Sequence, residues 1–219
     1  MSKEQLTIAL PKGRLGEDAL KALLRVGYGD VVDVKSRQLI FIDEINQIRY
    51  MIVKPIDVIT YVSQGVADIG IIGKDNILEE APDIYELLDL GFGKCKFSIA
   101  GPKDQVLIKR EETLKVATKY PAVAYRYFKT KNQKIEIIKL NGSVELAPLV
   151  GLSDVILDIV ETGNTLKANG LEILEDMFDI SAKLISNRVS YRFKSDHIKM
   201  LVTKLSTLEG VTSYDSDHS

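Results

Sequence analysis

Apolar residues along the 219-residue chain come in short runs separated by polar turns, and their spacing switches between that of a buried strand and that of an amphipathic helix. Residues 6–10 read as a strand, and the turn Pro11-Lys12-Gly13-Arg14 leads into a helix at about 16–26. Short strands are predicted at 31–34 and 37–42. A strand at 49–53, a helix at 56–64 with Pro55 in its first turn, a strand at 68–72 and a helix at 76–80 follow. After a stretch at 88–96 broken by Gly91 and Gly93, strands are predicted at 96–100 and 116–118, a helix at 121–129 and a strand at 135–139. The turn Asn141-Gly142-Ser143 is expected to cap a helix at 144–150. Residues 155–160 read as a strand, 166–178 as a helix with Thr165 as its cap, 181–187 as a strand and 195–207 as a helix. Strands and helices in alternation predict an α/β protein.

One internal correspondence sharpens this. Gly65-Val66-Ala67-Asp68-Ile69-Gly70-Ile71 and Gly151-Leu152-Ser153-Asp154-Val155-Ile156-Leu157 share the order glycine, aliphatic, small, aspartate, apolar strand, each behind a predicted helix. Two such stretches imply two similar α/β lobes. Their strands end in polar turns, Gly73-Lys74-Asp75 and Glu161-Thr162-Gly163, and lobes that face one another would place both turns along one ligand-binding cleft.

Composition removes several chemistries. With 29 basic and 31 acidic residues the net charge is −2, so any cationic site is local and nothing draws the whole chain to nucleic acid or an anionic membrane. Cys95 is the only cysteine and His197 and His218 the only histidines, which excludes disulfide scaffolds, Cys/His zinc sites and a histidine-based nucleophile unless His197, expected on a helix surface, serves one. Residues 1–5 are polar rather than leader-like, the tail 212–219 is polar and expected to fray, and no apolar run approaches a membrane span. A cytoplasmic location is the expectation.

The chemistry that remains is anion binding. The strand at 155–160 is apolar except for Asp158 and runs into Glu161-Thr162-Gly163-Asn164-Thr165, which offers hydroxyls, a carboxamide and N–H groups at a helix start. Asp158 and Glu161 repel phosphate, so the loop suits a ligand that also carries sugar hydroxyls. A phosphoribosyl group is one; capping alone is the bland alternative. At the end of the first strand, Lys12 and Arg14 flank Gly13, where ligands of open α/β sheets bind.

Taken together, Ala9-Leu10-Pro11-Lys12-Gly13-Arg14, Ser36-Arg37-Gln38-Leu39, the stretch from Gly65 through Gly73-Lys74-Asp75, Leu140-Asn141-Gly142-Ser143-Val144-Glu145-Leu146-Ala147-Pro148 and Asp158 through Leu166 resemble, in order and over nearly the whole chain, the short-form ATP phosphoribosyltransferases of histidine biosynthesis. The resemblance implies a two-lobed fold like type II periplasmic binding proteins, with residues 1–90 and 180–219 in a discontinuous first lobe, 91–179 in the second, and the active site in the cleft between them. It implies attack by N1 of ATP on C1 of 5-phosphoribosyl 1-pyrophosphate, with Mg²⁺ carried mainly by substrate oxygens. Thr162, Gly163, Asn164 and Thr165 would cradle the ribose 5-phosphate, with Asp158 and Glu161 near the ribose hydroxyls. Lys12, Gly13 and Arg14 would line the pyrophosphate and nucleotide side, Arg37 would meet the phosphates as a bidentate fork, and Gly73 and Asp75 would face the cleft. Lys54 stands where the family pattern has an arginine, keeping the charge but not the fork. A homodimer joined to a regulatory subunit resembling histidyl-tRNA synthetase is further implied. The alternative from another class is a two-lobed binding module without turnover; a DNA-binding regulator lacks a helix-turn-helix or basic arm.

Overall fold

The first strand, β1 (Leu6–Pro11), is buried at all six positions because both of its faces are covered, as a central parallel strand requires. It leads into α1 (Arg14–Arg25), and β2 (Ile40–Asp43), β3 (Ile48–Val53), α2 (Asp57–Ser63), β4 (Ile69–Gly73), α3 (Lys74–Glu80) and β5 (Tyr85–Asp89) follow. The chain continues through β6 (Cys95–Gly101), β7 (Leu114–Thr118), α4 (Pro121–Thr130), β8 (Ile135–Lys139), α5 (Leu146–Leu149), β9 (Val155–Val160), α6 (Asn164–Ala168) and β10 (Glu172–Ile180). It ends in β11 (Ala182–Ser186), α7 (Arg188–Phe193), α8 (Ser195–Leu205) and β12 (Thr212–Ser213). The computed structural model describes residues 5–103, 105, 107 and 112–214.

Two units result. One comprises the chain up to Ile77, Ala81–Gly93 and the part from Ser181 onward; the other comprises Leu78–Glu80 and Lys94–Ile180. The first is built on a seven-stranded sheet in the order β12-β5-β11-β4-β1-β3-β2, the second on a five-stranded sheet in the order β10-β6-β9-β7-β8. In the first unit Leu6, Ile8 and Leu10 pack with Leu20 and Leu23 of α1 and Ile198, Leu201 and Leu205 of α8, while Ala9 on the opposite face packs with Val58, Ile59 and Val62 of α2. In the second, Phe97, Ile99 and Val116 pack with Val123 and Phe128 of α4, and Ala100, Ala117 and Ile156 pack on the other face with Ala147, Leu166 and Leu171. Each sheet is therefore a middle layer with apolar side chains on both faces.

The two repeated stretches do occupy equivalent places. Gly65 and Gly151 have φ of 71° and 72°. Asp68 donates its N–H to the Thr7 carbonyl (2.9 Å) and accepts the Thr7 N–H on Oδ2 (2.7 Å); Asp154 does the same with Lys115, at 2.9 and 2.8 Å. Each aspartate thus extends a parallel ladder by one side-chain rung, at the amino end of β1 in one unit and of β7 in the other. Asp68 is also held by the Ser190 hydroxyl (2.7 Å) and by Lys194, which lies 2.9 Å away and donates as well to the Gln5 carbonyl (2.9 Å). This carboxylate adds a polar tie between the C-terminal helices of the first unit and its sheet, beside the apolar packing of α8.

Departures from the expected elements have local causes. Residues 31–34 form hydrogen-bonded turns instead of a strand: Val32 is buried, but its N–H goes to the Gly29 carbonyl rather than to a ladder. The helix expected at 166–178 is the five-residue α6 followed by β10. Gly170, with φ of 68°, ends the helix, and β10 pairs antiparallel with β6 through two bulges, which put Leu174 and Met177 into the same core at helix-like spacing. The start of α5 is also displaced, with Glu145 rather than the Asn141–Ser143 turn at the capping position and no side-chain cap bond. β5 and α7 were not expected. Of the tail expected to fray, Thr212 and Ser213 pair with β5, and residues 215–219, like residues 1–4 of the polar start, lie outside the described residues.

Removing a buried carboxylate that holds a lysine costs about 3–5 kcal/mol, whereas losing one exchanged backbone bond costs about 1 kcal/mol. Asp68→Ala is therefore expected to destabilise the chain by about 3–5 kcal/mol in urea denaturation. A loss of only about 1 kcal/mol would mean that the Ser190 and Lys194 contacts add nothing to the backbone rung.

Candidate functional site

In the first unit, register brings the candidate cations to one edge. β1 runs parallel to β3 with Pro11 opposite Val53, and parallel to β4 with Ala9 opposite Gly70. Continued to the strand ends, this register sets Lys12 beside Lys54 on one side and beside Gly73 on the other, and the Lys12 N–H bonds the Val53 carbonyl at 2.7 Å. β2 runs antiparallel to β3, with Ile40 opposite Met51 and the Leu39 carbonyl accepting from Ile52 (2.8 Å), so residues 37–39 approach the same carboxyl end. Lys12, Arg14, Arg37 and Lys54 are all exposed, and among the described residues Lys12, Arg37 and Lys54 have no ion-pair partner. Cations left unneutralised along a sheet edge create a local positive potential in a chain that is slightly acidic overall.

The turn after β1 is tightly specified. Gly13 precedes α1 with φ of 86°, and its carbonyl accepts from Glu17 (3.1 Å). A β-carbon at Gly16 would stand 1.8 Å from the Pro11 carbonyl oxygen, so only glycine lets the helix pass this close to the strand end. Next to it, Gly73 lies under Asp75: a β-carbon there would stand 2.2 Å from Asp75 Oδ1. Asp75 is buried in the first turn of α3 and accepts from the Asn76 amide at 2.9 Å. The neighbouring Lys74 is paired with Glu86.

In the second unit β7 lies between β8 and β9, parallel to both. At the carboxyl end of β9 the chain turns through Glu161 and Thr162 to Gly163, which takes φ of 70° at the start of α6. Asp158, half-buried opposite Ser98 of β6, turns its own Oδ1 to the Ile159 N–H (2.9 Å). Thr162, Asn164 and Thr165 are exposed around a helix start anchored by the buried Leu166. The donors expected of this loop are therefore present, but over one turn and a half of helix rather than the long helix predicted, so individual N–H and hydroxyl groups matter here more than a macrodipole.

One residue near this edge was read only as a cap. Ser143, after β8, has φ of 48°, a left-handed conformation costly for a residue other than glycine, and its carbonyl accepts from Leu146 (3.2 Å). The Asn-Gly-Ser turn was visible in the sequence; its strain was not. No group of three or more His, Cys, Asp or Glu side chains that could hold a metal ion occurs among the described residues, and no helix among them is long and apolar enough to cross a membrane.

This architecture recurs in solved structures of low identity, which show the fold alone. The periplasmic aliphatic sulphonate binding protein of Escherichia coli matches over 94% of this chain and 72% of its own with a TM-score of 0.59 and 16% identity, and the second Venus-flytrap domain of Bordetella pertussis BvgS over 94% and 88% with 0.55 and 13%. The chain is thus a two-unit α/β protein of the periplasmic-binding-protein type. A much nearer structure, from a Thermotoga maritima ATP phosphoribosyltransferase (HisG:HisZ) complex, matches over 93% of this chain and 98% of its own with a TM-score of 0.81 and 39% identity. Residues 54–207 match the family model for ATP phosphoribosyltransferase (HisG), and proteins of that name from Clostridioides difficile and Oceanobacillus iheyensis are 62% and 52% identical, each over 94% of this chain and 99% and 100% of their own. The chain belongs to the ATP phosphoribosyltransferase family.

Proposed function

We propose that the chain catalyses the transfer for which its family is named, in histidine biosynthesis: N1 of ATP forms a bond to C1 of 5-phosphoribosyl 1-pyrophosphate as the C1–O bond to pyrophosphate breaks. The observation that carries this reading is 62% identity, over 94% of this chain, to a relative named for the reaction. The binding-module alternative is not favoured. Adenine N1 carries its own lone pair, so no side-chain base is needed to make the nucleophile, in keeping with a chain that has two histidines and one cysteine. Catalysis then rests on positioning and charge stabilisation.

Each candidate residue takes a role by its chemistry. Thr162, Gly163, Asn164 and Thr165 hold the ribose 5-phosphate through hydroxyl, amide and backbone donors, and Asp158 and Glu161 accept from the ribose hydroxyls. Lys12, Gly13 and Arg14 serve the pyrophosphate and nucleotide phosphates, joined by Lys54, while Arg37 supplies a planar fork. Gly73 keeps its backbone open to ligand and Asp75 fixes the turn beside it. Ser143 joins this set as a strained turn residue at the edge that carries the phosphate loop. Mg²⁺ fits a donor set of this kind: Asp158 and Glu161 are hard oxygen donors but too few for a protein cage, so the ion would ride on substrate oxygens and offset the charge of the departing pyrophosphate.

The chain acts as a homodimer in the cytoplasm and assembles with a regulatory subunit resembling histidyl-tRNA synthetase. The Thermotoga maritima relative, described as a HisG:HisZ complex, supports the hetero-oligomer.

Absorbance-monitored product formation tests the reading. Purified protein with ATP, phosphoribosyl pyrophosphate, Mg²⁺ and pyrophosphatase, with and without the partner subunit, is expected to form phosphoribosyl-ATP only when both substrates are present; tight binding of one ligand with no product in either mixture would return the binding module. Arg37→Ala is expected to lower kcat/KM by about 100-fold, as loss of a charge-stabilising donor does, while changing stability by less than about 0.5 kcal/mol, as befits an exposed side chain. Unchanged turnover would make Arg37 an ordinary surface residue.

A further inference from the structure

Among the described residues Lys183 is the only buried lysine. It stands in β11, a strand buried at all five positions between β4 and β5. An ammonium in such a place is costly unless it is paired. Its partner is Asp89 at the end of β5, directly opposite in the register, whose Oδ2 accepts from the ammonium at 2.6 Å. Burial alone would push both groups toward neutrality, but the hydrogen bonds they share and receive outweigh it: Asp89 is held below the usual carboxylate range and Lys183 above the usual amine range. The ammonium also lies 5.2 Å over the Tyr214 ring. Replacing a buried ion pair by apolar residues of similar volume often leaves a protein as stable or more so, and stability alone therefore does not ask for a lysine here.

What the pair supplies is a fixed direction for Asp89. The other carboxylate oxygen accepts from the Ser181 hydroxyl at 2.7 Å and from the Gly91 N–H at 3.0 Å. The chain leaves the first unit at Gly93 for residues 94–180 and returns to it at Ser181, so one carboxylate holds a residue beside each passage. Ser181 is itself buried, its carbonyl accepts the Lys74 N–H at 3.0 Å, and the next residue, Ala182, lies opposite Gly73 in the register. Only Ser181 thus separates Asp89 from the backbone of the Gly73-Lys74-Asp75 turn.

We propose that Asp89, aimed by Lys183, is a positioning residue for the phosphoribosyl transfer: through Ser181 it fixes the backbone of the Gly73-Lys74-Asp75 turn against which the ligand is held. The proposal rests on the reading above in which Gly73 and Asp75 serve the ligand. Amide hydrogen exchange and turnover of the full chain test it together. In an Asp89→Ala/Lys183→Met variant, which removes both charges at once, the Lys74 N–H is expected to exchange about tenfold faster relative to the Asp68 N–H just before β4, and kcat/KM to fall by about tenfold or more. Ser181→Ala keeps the ion pair and cuts only its link to the turn; it is expected to move both readings the same way by about threefold, and it decides the matter if the double variant does not fold. A merely structural pair would speed exchange at both amides alike, through global opening, and that result in the double variant with no change in Ser181→Ala would overturn the proposal. Faster Lys74 exchange with wild-type kcat/KM would overturn it too, leaving the turn attached to Asp89 but without a part in the transfer. No transfer by the wild-type chain would overturn the proposed function and this role with it.

Discussion

A carboxylate placed just before a parallel strand, exchanging hydrogen bonds with the first residues of the neighbouring strand, is the interaction on which this structure is built. Asp68 and Asp154 each accept a backbone N–H and return their own to the same residue. Registering the strands at their amino ends bears on what their carboxyl ends place side by side: Lys12 beside Gly73 in one unit, and the ends of β7 and β9 in the other. The candidate site loops that follow β1, β4 and β9 therefore stand in a register supported from the opposite end of each sheet. In the first unit the same carboxylate also anchors α7 and α8 through Ser190 and Lys194, so the returning C-terminal segment belongs to the sheet on which β1 lies.

From that shared scaffold the two units part in chemistry. The first offers exposed cations along its edge, suited to pyrophosphate and triphosphate oxygens; the second offers hydroxyls, a carboxamide and backbone donors, with Asp158 and Glu161 suited to a ribose. A reaction whose nucleophile is a ring nitrogen of the substrate asks for little more. It needs one group held at its phosphate, another at its leaving group, and no protonic machinery. Unpaired cations, a loop of neutral donors and the scarcity of histidine are then parts of one chemical solution.

Much of this was legible in the chain. The repeat of glycine, aliphatic, small residue and aspartate disclosed two α/β units from sequence, because each aspartate builds the same rung onto a parallel neighbour. The glycines of the candidate site motifs were legible for a related reason: those at positions 13 and 163 answer local backbone requirements, with φ of 86° and 70°. What failed was non-local. β10 carries two bulges imposed by pairing with β6, and these turn a strand's alternation into an apparent helical period. Val32 and Val34 looked like a strand because they are apolar, but they pack into a core from a turn. The convergence of Arg37 on the end of β3 arises from register, which no single segment records.

The most direct measurement is an amide ¹⁵N–¹H spectrum of the protein with increasing 5-phosphoribosyl 1-pyrophosphate and Mg²⁺. The account predicts that the largest shifts fall on Thr162, Gly163, Asn164 and Thr165, with a second set on Lys12, Gly13 and Gly73. Saturable binding that leaves the 162–165 amides unmoved would contradict it, since the ribose phosphate would then be held elsewhere.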